Sequence, residues 1–361
     1  MTTALNFNAG PSMLPRDVLE QVQAELLDYH GRGMSIMEMS HRSKEYEEIN
    51  SRAEANFKRL IGVGDGYRVL FVQGGASTQF AMLPMNFLPP GGTADYVVNG
   101  SWGEKAIDEC KILGHAHLAA STQEGGFKRT PRADEVRLSD NPAYIHLTSN
   151  ETIQGVQFAE FPDLGHAPLV GDMSSDILSR PIDAGKFAMI YAGAQKNLGP
   201  SGVAIVLIRQ EWIDRANKGL PTMLRYATHA KNNSLYNTPP SFGVYVVDLV
   251  LQWIDKLGGV AAMGERNARK AELLYNAIDA SGGFYKGHAE AGSRSQMNVT
   301  FRLPDEAREK AFLAEAQKAN MVGLAGHRSV GGIRASIYNA MGEEACRTLA
   351  TLMADFAARN G

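Results

Sequence analysis

The sequence predicts an α/β protein: a mostly parallel sheet with helices on both faces, and a smaller second unit toward the C-terminus. Three observations predict it. Short β-branched apolar runs alternate with longer helical patterns through the middle of the chain. Polar residues gather just past the carboxyl end of these runs, where open α/β sheets hold their ligands. The 361 residues, 44% hydrophobic and 21% charged, suit one large domain plus a smaller one.

The elements follow in order. Pro15 opens a helical segment with Val18, Val22 and Leu26 at four-residue spacing. Arg68–Val72 reads as a strand that runs into Gly74-Gly-Ala-Ser-Thr78 and then a helix. Strands also read at Asp95–Val98, Tyr144–Thr148, Pro168–Gly171, Ala188–Tyr191 and Val203–Ile208. The tails of the first four of these are Asn99-Gly-Ser-Trp102, Ser149-Asn-Glu-Thr152, Asp172 and Gln195-Lys196. Lys231–Pro240 is polar and ends in two prolines, so it reads as an exposed, stiffened loop. Gly258-Gly259 places a domain change near residue 260. Gln296–Arg302 alternates and reads as a half-exposed strand. Cys346, Leu349, Leu352, Met353 and Phe356 form the apolar stripe of a last helix.

Several function classes drop out. The net charge is −3 with both signs interspersed, which argues against a nucleic-acid protein with a basic face. No apolar run approaches the roughly 18 residues of a membrane span. Met1–Asn8 lacks the basic start and apolar core of a signal peptide. Two cysteines, Cys110 and Cys346, are too few for a disulfide framework, so the expected compartment is the cytoplasm. Dinucleotide, P-loop, zinc-protease and nucleophile-elbow signatures are missing, and neither cysteine has zinc-ligand spacing, so no metal is expected.

Lys196 is the residue to build on. It lies on a tight loop between two apolar runs, with Gly199-Pro200 forcing the turn. A lysine amine kept from water loses its strong hydration and becomes a nucleophile toward carbonyl carbon. A lysine that snorkels out of a strand end is the competing reading. If the amine bonds an aldehyde cofactor such as pyridoxal phosphate, the chemistry sets further requirements. A carboxylate must hold the ring nitrogen protonated, and Asp172 is available, though it also reads as a helix N-cap. A dianionic phosphate wants a helix N-terminus, and Gly74–Thr78 offers one, or a plain strand–helix turn. A flat ring wants a stacking face, and Trp102 can supply it, or be a core residue. Thr152 offers a hydroxyl.

The order of these features, with Asn6–Pro11, Glu38–Ser43, Gln73–Ser77, Asn99–Trp102, Gly171–Ser175, Gly193–Asn197 and Gly326–Ser336, resembles the class V aminotransferases among fold-type I pyridoxal-phosphate enzymes. More narrowly, it is similar to the branch that acts on phosphorylated amino acids. The resemblance implies a large domain over residues 16–260 with a mostly parallel seven-stranded sheet. It implies a smaller α/β domain from residues 1–15 and 261–361. It implies that Lys196 binds the cofactor and shuttles a proton, and that Asp172 holds the ring nitrogen. Trp102 would stack on the ring and Thr152 bond the phenolic oxygen. Ala76, Ser77 and Gln195 would hold the phosphate, with Asn237 and Thr238 reaching over from the other subunit of a homodimer. Relatives often have a serine where this chain has Ala9, so a hydroxyl contact there is lost.

Arginines indicate the substrate. Arg42 and Arg334 suit a carboxylate, which a guanidinium meets with two parallel bonds. His41, His327 and Arg328 add positive charge, and two His-Arg pairs in polar or small-residue loops suggest an anion with more than one charge. The resemblance implies ping-pong transamination between glutamate and 3-phosphohydroxypyruvate, giving phosphoserine and 2-oxoglutarate. That places the chain in serine biosynthesis, with pyridoxine biosynthesis as a further role. A cysteine desulfurase of the same class needs a mobile thiol, and both cysteines read as helix-core residues. A non-catalytic binding protein on this fold would be expected to lack the lysine or the aspartate, and both are here.

Overall fold

The computed structural model describes residues 3–361; Met1 and Thr2 of the N-terminal segment lie outside them. Seven strands build the main sheet: β1 (Tyr67–Val72), β2 (Thr93–Val98), β3 (His115–Ser121), β4 (Ile145–Thr148), β5 (Leu169–Asp172), β6 (Phe187–Gly193) and β7 (Ala204–Arg209). Their order is β1-β7-β6-β5-β4-β2-β3. Every neighbouring pair is parallel except the two that β7 makes, with β1 and β6. The mostly parallel sheet is therefore as the sequence predicts, with one reversed strand following the Lys196 loop.

Six of the seven strands stand out in the sequence as apolar runs; β3 does not. It is an edge strand whose residues are largely exposed or half-exposed, so His115-Ala-His-Leu lacks a continuous apolar signal.

Alternation along the strands divides the core in two. Val69, Phe71, Ile145, Leu147, Ile190 and Ile205 face one side, against α2 (Lys44–Ile61) and Ser241–Lys256. Leu70, Val72, Tyr96, Val170, Tyr191 and Val206 face the other, against Gly75–Phe87 and Ser101–Leu113. Burial on both faces is what makes these strands nearly continuous in apolar residues. The Pro15 pattern forms α1 (Arg16–Glu25), with Val18 buried.

A third core gathers Phe7 with Leu274, Phe301, Phe312, Ile333, Leu349, Met353 and Phe356. Its antiparallel sheet joins Lys286–Gly287, Asn298–Arg302 and Ile333–Ser336. Leu5–Asn6 pairs with Met321–Val322, so the start of the chain is tied to this later part. The strand expected to be half-exposed is buried at four of its five residues. The reason is a second cover, a small hairpin of Asn150–Glu151 and Val156–Gln157. Thr300 Oγ1 donates to Gln154 O at 2.7 Å, Asn150 Nδ2 to Asn298 Oδ1 at 2.8 Å, and Ser295 N to Gly155 O at 3.0 Å.

Gly155 is fixed by that contact. Its φ is +71°, and a Cβ there would lie 2.5 Å from the Asn298 carbonyl oxygen. Gly155→Ala should therefore cost roughly 1–3 kcal/mol, seen as a lower urea midpoint with unchanged m-value. An unchanged midpoint contradicts the close approach.

Candidate active site

The carboxyl ends of β4, β5 and β6 converge with two helix N-termini on one cavity of about 380 Å³. Ala76, Ser77, Trp102, Thr152, Asp172, Gln195, Lys196, His327 and Arg334 line it, as do Ala9, Gly10, Thr148, Asn150, Ser174 and Ser175.

Lys196 leaves the turn between β6 and β7. That turn is closed by Ala194 N to Val203 O at 2.9 Å and Leu198 N to Ala194 O at 3.0 Å. The N-terminal segment clamps it from outside, with Ser12 Oγ donating to Lys196 O at 2.6 Å. The amine donates to Thr152 Oγ1 at 2.7 Å and stands 5.7 Å from the Trp102 ring centre. Burial lowers its pKa to about 8, against the opposing pull of Asp172 and Glu151. The lysine does not snorkel out; it turns inward to a polar wall.

Asp172 ends β5 beside Thr148 of β4. Burial raises its pKa, while hydrogen bonds from Ser174 and the charge of Lys196 lower it. Ser174 N and Oγ donate to its Oδ1 at 2.9 and 2.6 Å. This local turn is part of the N-cap alternative, but no helix starts there. No protein donor among the described residues reaches Oδ2.

Gly75–Phe87, here α3, begins at the cavity. The first-turn N–H groups of Gly75, Ala76 and Ser77 have no preceding helical carbonyl to meet, which suits an anion. Trp102 lies in the first turn of Ser101–Leu113, here α4, half-buried, with its indole Nε1 buried and unpartnered. Arg334 on the small sheet reaches Thr152 O at 3.5 Å, and its Nε has no partner. His327 accepts or donates at 2.7 Å to Ser329 Oγ. Burial, then the positive Arg334, Arg328 and Lys105, push its pKa down.

The cavity does not gather every expected residue. His41, Arg42, Arg328, Asn237 and Thr238 are not among its lining. Arg42, Arg328 and Thr238 are exposed. His41 Nε2 is buried without a partner. Thr238 O accepts from Gln73 Nε2 of its own chain at 3.5 Å. Other lining residues were not singled out from the sequence. Thr148 ends its strand and Asn150 lies inside the Ser149-Asn-Glu-Thr152 stretch, and Ser174 and Ser175 stand out in the sequence only as possible capping partners. Lys105, 4.3 Å above the Trp102 ring, is one helical turn from it, and nothing in the sequence marks its direction. The Ala9 carbonyl accepts from Tyr338 Oη at 2.7 Å, so its backbone is used for structure.

An aldehyde cofactor with a ring and a phosphate fits what is left unsatisfied. Thr148 Oγ1, Asn150 Oδ1 and Trp102 Nε1 are buried without partners, the donors to the Asp172 side chain both go to Oδ1, and a helix N-terminus and a lysine amine line the same cavity. Among the described residues no group of three metal-ligating side chains occurs.

Comparison with known proteins agrees. The family model for aminotransferase class-V matches residues 4–349, and the chain belongs to that family. Within it the chain groups with the phosphoserine aminotransferases. The one from Herpetosiphon aurantiacus is 60% identical over 99% of this chain and 100% of its own. The structure of the Bacillus circulans subsp. alkalophilus enzyme is 56% identical, with a TM-score of 0.98 and 99% of each chain covered. The Trichomonas vaginalis enzyme, described as bound to PLP, is 38% identical with a TM-score of 0.90, covering 97% of this chain and 99% of its own.

The lowered pKa makes the Lys196 amine, which faces the cavity, more nucleophilic near neutral pH than the surface lysines. Reductive methylation with formaldehyde near pH 8, mapped by peptide mass spectrometry, should label Lys196 ahead of the surface lysines. Labelling at the common surface rate contradicts the desolvated amine. Lys270, also lowered by burial to about 7, should stay unlabelled because it is fully buried.

Proposed function

We infer that the chain is a pyridoxal-phosphate-dependent phosphoserine aminotransferase, exchanging an amino group between glutamate and 3-phosphohydroxypyruvate to give phosphoserine and 2-oxoglutarate. The observation that carries this reading is the Lys196 amine, held 2.7 Å from Thr152 Oγ1, in one cavity with Asp172, Trp102 and Arg334. Full-length likeness to enzymes of that name supports it.

Pyridoxal phosphate supplies an aldehyde that condenses with amines and a ring that accepts the electrons released at the substrate α-carbon. The chain's residues do the rest. Lys196 would hold the cofactor aldehyde, and its amine is the group placed to take and return the substrate α-proton. Thr152 keeps the amine pointed into the cavity. Asp172, whose Oδ2 accepts from no protein donor among the described residues, would hold the ring nitrogen, and a cationic nitrogen there would favour its ionised form. Trp102 covers one ring face. Gln195 and the first turn of α3, with Ala76 and Ser77, take the phosphate. Arg334 takes a substrate carboxylate, and His327 sits beside it on the anion side.

The remaining expected residues belong to the same reading through a second copy of the chain. Arg42, His41, Asn237 and Thr238 lie in two segments that also expose Met34, Met37 and Tyr236. Large exposed apolar side chains beside polar ones suit an interface. A homodimer in which Asn237 and Thr238 reach the partner's cofactor phosphate completes the site. Arg42 then joins Arg334 as a candidate for a substrate carboxylate, and His41, with His327 and Arg328, serves a phosphorylated substrate.

The division into domains at about residue 260, with the chain start joined to the later part, is part of this reading. So are a cytoplasmic location and roles in serine and pyridoxine biosynthesis. No helix of the described residues is long and apolar enough to cross a membrane. The desulfurase alternative is disfavoured: Cys110 and Cys346 are buried, and burial raises the pKa of both thiols.

Lys196→Ala should abolish transamination and the borohydride-stable attachment of pyridoxal phosphate at residue 196, while the melting temperature stays close to that of the apoprotein. A variant that keeps either property contradicts the assignment.

A further inference from the structure

Glu151 is a buried carboxylate with no assigned work. It sits in the hairpin next to Thr152, fully shielded from solvent. Its Oε2 accepts from Trp102 N at 3.0 Å and its Oε1 from Gly103 N at 2.8 Å. Both donors lie in the first turn of α4, so the carboxylate closes that helix from the side-chain of a distant hairpin. The space it occupies exists because residue 100 is glycine. A Cβ at Gly100 would lie 2.4 Å from both Cγ and Cδ of Glu151.

The surroundings show what this contact joins. One residue on, Thr152 takes the bond from Lys196 Nζ. The Thr152 carbonyl faces Arg334, and Gln154 ties the same turn to Ser101 through Nε2 to Oγ at 2.8 Å. A single five-residue turn therefore touches the stacking residue, the reactive amine and the substrate arginine.

We propose that Glu151 is a positioning residue: by gripping the Trp102 and Gly103 N–H groups, it fixes the Trp102 ring relative to the Thr152–Lys196 pair. The role rests on the functional reading above and deepens it. Two amide donors on two carboxylate oxygens define both the distance and the rotation of the helix end, which one acceptor cannot do. An indole held in this way would need no reorganisation to meet a flat ring bound in the cavity. Burial pushes the Glu151 carboxyl up to about 7, and the two amide donors pull against this. Asp172 adds to the rise and Lys196 opposes it, so these are the charged groups that face it.

Glu151→Gln tests the role because the amide keeps the shape. Its oxygen can accept one N–H, but its NH2 meets the other donor head-on. In the pyridoxal-phosphate-loaded enzyme, kcat for glutamate should fall about tenfold, the scale of one lost charge-assisted bond, with KM changed less than about twofold. The visible circular dichroism of the bound cofactor should shrink, since it reports the fixed ring environment. Gly100→Ala, which expels the carboxylate, should give the same changes, and the double variant should be no worse than either single one.

Glu151→Gln with wild-type kcat and circular dichroism overturns the proposal. So does a loss confined to melting temperature, which is all that a helix cap alone would show. Additive effects of the two variants overturn it as well. If the wild-type chain itself neither binds pyridoxal phosphate nor transaminates, the functional reading fails, and this role with it. If the wild type does both and the variants match it, only the positioning role fails.

Discussion

The site depends on keeping one amine away from water. Lys196 projects from a turn into a cavity where its only hydrogen-bond acceptor among the described residues is Thr152 Oγ1. Desolvation disfavours its charged form and wins over the nearby carboxylates, leaving the pKa near 8. Everything else in the site follows from meeting that condition. The turn must be rigid, the wall must be polar enough to orient the amine, and the nearby acids must not outweigh the desolvation that lowers its pKa. The reversed strand β7 supplies the rigidity, because a short antiparallel connection from β6 cannot swing as a long crossover can.

The hairpin 150–157 is the second constraint. It packs the small sheet against the main one, and its turn touches Lys196, Arg334 and the start of α4. Groups on opposite sides of the cavity are therefore set by the same few residues. Mutations in this hairpin should couple strongly to each other, since they share partners. The buried polar atoms on its cavity side are not defects. Thr148 Oγ1 and Asn150 Oδ1 have no partner in the protein and belong to residues lining the cavity, so they are free to bond a molecule that fills it.

Much of this was legible from residues alone, for physical reasons. Strands buried on both faces leave long β-branched runs, so six of seven announced themselves; the edge strand His115–Ser121 did not, because half of it meets solvent. Lys196, Asp172, Trp102, Thr152 and Arg334 could be picked out because parallel strands end on one side of a sheet, and each stands just past such an end or in a motif of known kind. Glu151 was passed over although it adjoins Thr152. A glutamate's significance here comes from a helix start some fifty positions earlier and from the missing Cβ of Gly100, neither of which periodicity reveals. His41, Arg42 and Arg328 show the opposite limit. Their chemistry is plain in the sequence, but one chain's fold leaves them outside its own cavity lining.

The charge proposed for a phosphorylated substrate at His41, His327 and Arg328 is the least generic assignment, and a direct kinetic comparison tests it. Steady-state transamination of 2-oxoglutarate should be measured with phosphoserine, serine and alanine as amino donors. The account predicts kcat/KM for phosphoserine at least about a hundredfold above either unphosphorylated donor, since a desolvated, multiply bonded phosphate contributes several kcal/mol. Equal kcat/KM values for phosphoserine and serine would contradict it.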